Sequence, residues 1–134
     1  MPPTTIISLL RLLPARSKVP EHVRRYLAEA SRCFIYGQFL ACLFLCRSAI
    51  ISATEDRLRA KGFACELDAL SKDKLKNTLE LAHDRGVLDD VAWKQADDIR
   101  ELSNDAIHGR RLATDAESKD AFDQTRGILQ LLYE

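Results

Sequence analysis

Glycine stands at only five of the 134 positions, and four of those, Gly37, Gly62, Gly86 and Gly109, each close a stretch of helical periodicity. Glycine tolerates the left-handed backbone that ends a helix, so this placement reads as a series of helix stops. Of four prolines, three precede residue 15, which leaves few breakers for a many-turned β-fold. From Pro20, a good first-turn residue, Val23, Leu27, Ala30 and Phe34 recur at helical spacing until Gly37. The next helix, Gln38 to Lys61, is apolar nearly all round at its start, which predicts a central position buried by several neighbours. Leu75, Leu79 and Ala82 predict a third over Lys72–Arg85. Asp89 reads as the N-cap of a fourth that runs to His108. Thr114-Asp115-Ala116-Glu117 reads as a capping box, Thr and Glu reaching reciprocally for free backbone donors. It opens a fifth helix with Phe122, Thr125, Leu129 and Leu132 on one face. The expected class is all-α, an antiparallel bundle of four main helices plus one or two short ones over residues 20–134. Residues 1–19, with apolar Ile6–Leu13, are expected to form a short docking helix or an arm reaching to another copy.

Charge narrows the function. Twenty basic and twenty acidic residues cancel, against a nucleic-acid binder that works by bulk charge. The halves differ, residues 1–67 carrying +5 and residues 68–134 carrying −5, an asymmetry able to orient two copies or a partner. The longest apolar run, Phe39–Leu45, is far short of the ~20 residues a membrane span needs, and no secretory signal is expected at the start of the chain. Cys33, Cys42, Cys46 and Cys65 form no Cys-x-x-Cys pair and no disulfide framework, which points to a reducing, cytoplasmic compartment. Cys42 and Cys46, one helical turn apart among apolar neighbours, are expected as small buried hydrophobes rather than metal ligands. With no Walker loop, Rossmann fingerprint, His-Glu-x-x-His or Gly-x-Ser-x-Gly, no cofactor is expected.

The chemistry concentrates on the fourth helix. Projected at 100° per residue, Ala92, Ala96, Ile99, Leu102, Ser103 and Ala106 share the core stripe, while Trp93, Arg100, Asn104 and His108 lie on the opposite side with Glu101 at their border. The single Trp thus shares a face with a guanidinium, a carboxamide and an imidazole. Such a group marks an interface or binding surface, unless Trp93 packs under another helix of the same chain. Asp97, Asp98, Glu101 and Asp105 read as a solvated or ion-paired face rather than a metal site. Arg47, following an apolar run on the central helix, needs a carboxylate that Glu101 or another acid of the fourth helix is placed to supply. His22 and His83 are expected to be isolated surface residues.

The run Ile99-Arg100-Glu101-Leu102-Ser103-Asn104-Asp105-Ala106-Ile107-His108-Gly109 resembles the signature of the "domain of unknown function 4145" proteins, a branch of the HEPN superfamily of helical bundles. The resemblance takes in Tyr26-Leu27-Ala28-Glu29-Ala30, Ala41-Cys42-Leu43-Phe44-Leu45-Cys46-Arg47-Ser48-Ala49, Gly86-Val87-Leu88 and Thr125-Arg126-Gly127-Ile128-Leu129, and covers about residues 20–133. It implies a domain that dimerises. Active members of the superfamily are metal-independent ribonucleases with an Arg, commonly a following Asn, and a His after four to six residues, and the branch is often attached to defence proteins. Here Ser103, not Arg, precedes Asn104, seven residues separate Arg100 from His108, and Ile51 stands where the pattern has Glu. The expectation is a catalytically degenerate homodimeric interaction or scaffold module in a prokaryotic defence or toxin–antitoxin setting, with Trp93, Arg100, Asn104 and His108 at the interface. One alternative is a ribonuclease in which His108 is general acid or base, Arg100 holds the phosphate and Asn104 orients. Another is a nucleotide-binding partner of a nucleotidyltransferase. A protein partner is favoured over RNA or a nucleotide.

Overall fold

Among the described residues six helices follow one another: α1 Glu21–Ile35, α2 Phe39–Ala60, α3 Ala64–Asp68, α4 Lys74–Asp84, α5 Asp90–Ile107 and α6 Asp115–Leu132. They come from a computed structural model that describes residues 13–14, 17–71 and 74–134. The expected arm or helix over 6–13 lies outside these residues but for Leu13, as do the first two positions expected of the third long helix. Among the described residues there is no strand, and no helix is long and apolar enough to cross a membrane.

Local chemistry sets the helix ends. Gly37, Gly62, Gly86 and Gly109 all take positive φ. At Gly37 (φ 73°) the chain reverses while the Gly37 and Gln38 N–H groups reach back to the Phe34 and Cys33 carbonyls at 3.0 and 2.8 Å. Asp89 caps α5, its carboxylate accepting from the Ala92 N–H at 2.8 Å. Thr114 caps α6 by accepting from the Glu117 N–H at 3.2 Å. The reciprocal half of the expected box does not form: Glu117 instead accepts from the Thr114 hydroxyl at 2.9 Å and pairs with Arg111. A guanidinium within reach outcompetes a backbone donor for the carboxylate.

The core gathers around α2, which packs against the other five described helices. Its Cys42, Leu43, Cys46, Ala49, Ile50, Ala53 and Leu58 are buried, the two cysteines among them as small apolar residues. The expected stripes on α5 and α6 are buried too, Leu102 only partly. Two long-range hydrogen bonds fix α6 along α2. Ser118 Oγ donates to the Phe39 carbonyl at 3.3 Å and the Tyr133 hydroxyl to Asp56 at 2.6 Å, so start meets start, end meets end, and the two run in the same direction. The all-round burial expected at the start of α2 is incomplete. Leu40 and Phe44 stand in solvent because the α5–α6 connection leaves a concavity beside them rather than a covering helix.

Candidate functional site

Helix α5 carries the residues singled out by the sequence, and the structure divides them into three places. Trp93 is half-buried against α4, its ring stacked on His83 with centroids 4.3 Å apart and planes 11° from parallel. Its Nε1 is buried without a hydrogen-bond partner among the described residues. His83, expected as an isolated surface residue, is therefore a packing partner, and its Nε2 also hydrogen-bonds Asp90 at 2.6 Å. His22 is exposed. The indole that projection turned away from the core stripe is taken up within its own chain, because α4 covers that side of α5.

Arg100 and Asn104 open onto a different feature. With Arg47, Lys74, Leu75 and Lys76 they line a cavity of about 360 Å³ where α2, α4 and α5 meet. Arg100 Nε donates to Asp97 at 2.8 Å, and its Nη2 lies 3.5 Å from Glu101. Glu101 and Asp97 are thus the partners of Arg100, and no acid of this helix pairs with Arg47 among the described residues, contrary to the sequence expectation. Glu101 stands in solvent on the outer side of α5 and does not reach across to the central helix. Burial, and then the nearby charge of Arg100, lowers the pKa of the Arg47 guanidinium.

His108 is elsewhere again. It is the exposed C-cap of α5, its N–H donating to the Asn104 carbonyl at 3.0 Å, and it does not line the cavity that holds Arg100. Eight residues at 1.5 Å each carry it roughly 12 Å along the axis from Arg100. Gly109 (φ 71°) is used as the helix stop, with the Arg110 N–H returning to the Asp105 carbonyl at 2.9 Å. Beside this end, Leu40 and Phe44 of α2, Ile107 of α5 and Leu112 of the connection line an apolar concavity of about 950 Å³.

A protein-family model described as Domain of unknown function (DUF4145) matches residues 28–134. The chain belongs to the DUF4145 family. The match runs from α1 to the end of α6, so every element around the cation-lined cavity and the apolar concavity is part of the DUF4145 domain. No curated protein and no solved structure matches this DUF4145 chain significantly.

The cavity brings together four cations and an amide, a set of hydrogen-bond donors able to hold an anion. Sequence reasoning missed Lys74 and Lys76, whose signal was a Lys-x-Lys step at the start of a helix. It also missed the exposed side of α2, because an unbroken apolar run does not tell which flank a neighbour will leave bare. Among the described residues, no group of three or more His, Cys, Asp or Glu is placed to hold a metal ion.

Proposed function

We propose that this DUF4145 chain is a self-associating interaction module, catalytically degenerate and built as a HEPN-like antiparallel bundle. The observation that carries the reading is the apolar concavity beside α2. Leu40, Phe44, Ile107 and Leu112 are all exposed there, Leu112 at 88%. Contiguous apolar surface of this kind marks an interaction site. A second copy suits it, because Leu112 projects from the rim of the hollow that Phe44 lines. A two-fold axis sets each copy's Leu112 into the other's hollow, and one surface answers both needs. Exposed His108 and Arg111 supply a polar rim.

Support for the bundle comes from α1, α2, α5 and α6. The chain reverses at Gly37, α2 and α6 share a direction, and the end of α5 meets the start of α2 around the concavity. Support for a silent site comes from the separation of His108 from Arg100 and from the burial of Ser103, which stands where the active motif has Arg. The defence or toxin–antitoxin setting rests on the family resemblance. Light scattering tests the module directly. The wild type should have the mass of a dimer at roughly tens of micromolar, and Phe44→Glu or Leu112→Glu should give a monomer with unchanged helicity. A monomeric wild type overturns self-association; a dimer that survives both substitutions overturns this face.

A further inference from the structure

Folding has gathered four cations around one small hollow: Arg47 from α2, Arg100 from α5, and Lys74 and Lys76 from the first turn of α4, which contains no acid. Two guanidiniums in proximity repel, and burial adds to the cost of charging Arg47. Arg100 is offset by Asp97 and Glu101, but no carboxylate lies within 4.0 Å of the Arg47 guanidinium among the described residues. An uncompensated, partly buried guanidinium beside three further cations is the arrangement that a multiply charged anion relieves.

We infer that this cavity binds a compact diphosphate group, free or as the diphosphate of a small molecule. Arg47 and Arg100 would grip its oxygens, Asn104 would donate its amide and the two lysines would close the rim. Phosphate suits the set better than a single carboxylate, because two planar guanidinium forks and two ammonium groups match an anion of several charges and many acceptor oxygens. Size favours a small ligand, the volume of about 360 Å³ lying at the low end of small-molecule sites. Nucleic acid fits less well. Asp97 and Glu101 flank Arg100 and repel an extended polyanion, and the chain's net charge is zero. An adjoining hollow of about 420 Å³ shares Arg47 and Lys74 and adds Phe44, Ser48, Ile51 and Glu55, leaving room for an uncharged organic group beside the phosphates, with the Glu55 carboxylate set against further negative charge there.

Isothermal titration of the full chain with sodium pyrophosphate, and separately with ADP, at about 50 mM salt tests the inference, since exposed charges are only partly screened there. Saturable one-to-one binding of pyrophosphate is expected. Tighter binding of ADP than of pyrophosphate identifies the ligand as a nucleotide-like ester; equal binding identifies the free diphosphate. Arg47→Met should weaken either at least roughly tenfold, as loss of a charge-assisted contact does, while its ligand-free melting temperature equals or exceeds that of the wild type because repulsion is removed. The double variant Lys74→Gln, Lys76→Gln, whose lysines are exposed, should weaken binding without any effect on folding. Arg59→Gln, at a surface ion pair with Asp68, should leave binding unchanged. Absence of saturable binding, or binding indifferent to both Arg47→Met and the double variant, overturns the inference. So does tight binding of a single-stranded RNA oligonucleotide by a protein that ignores pyrophosphate. Repeating the titration with monomeric Leu112→Glu keeps this result independent of self-association.

Discussion

Ser103 sits one residue before Asn104 with its side chain wholly buried, and its hydroxyl shares a proton between the Ile99 and Arg100 carbonyls at 2.8 and 3.0 Å. Such back-bonding satisfies a small polar group without leaving its helix. A guanidinium has no such option. Ser103→Arg should therefore cost about 3–5 kcal/mol through an unpaired buried charge, seen as a fall of at least ~10 °C in the melting temperature. An undiminished melting temperature would show that position 103 can turn outward and would reopen the ribonuclease reading. The burial of Ser103 was legible from projection alone, because a helix fixes the face on which each residue stands. The surroundings of Trp93 and Arg47 were not. Projection places a side chain on a face but cannot say that α4 brings His83 beneath the indole, or that Glu101 turns to Arg100.

Among the elements, the long helices were legible wherever two kinds of signal agreed, an apolar period of 3.6 and a terminus with its own chemistry. Helix α6 has both, the Thr114 cap at one end and Phe122, Thr125 and Leu129 buried along it. Thr114→Ala should destabilise the protein by about 0.5–2 kcal/mol. The loss should concentrate in the first turn of α6, where amide hydrogen exchange at Glu117 and Ser118 should quicken. Unchanged exchange there would assign the cap no part in holding the helix start. Helix α3 shows the opposite case. Its five residues bury Leu67 fully and lean on the Arg59–Asp68 ion pair, at 2.7 Å, to meet α2. One buried residue makes no period, so a single turn held by a distant partner leaves no mark in a sequence.

At the scale of the whole molecule, the end of the chain is tied to its centre. Tyr133 is buried, and its hydroxyl donates to Asp56 on α2 at 2.6 Å. Burial first, then the hydrogen bond and charge of Asp56, push the phenol well above its ordinary pKa near 10. The folded protein thus keeps a proton that the unfolded chain gives up, so this contribution to stability is full below about pH 10 and is lost as the pH rises beyond it. Denaturant unfolding from pH 8 to 11 should show the wild type losing stability more steeply than Tyr133→Phe, which has no such proton. At neutral pH the variant should be weaker by ~1–3 kcal/mol for the lost bond to a carboxylate. Buried Cys42, also pushed up, by its hydrogen bond to Cys46 and then by burial, adds the same alkaline slope to both proteins and drops out of their difference. Parallel pH profiles would show that the phenol does not feel its burial. The Trp93–His83 stack, for its part, gives the molecule an optical address. The only indole in the chain lies in the seam between α4 and α5, so its fluorescence reports the parting of those two helices, while the absorbance of buried Tyr133 reports α6 leaving α2. If the two signals move together on unfolding, the bundle is one cooperative unit; if they separate, it opens seam by seam, and the colour that changes first names the seam.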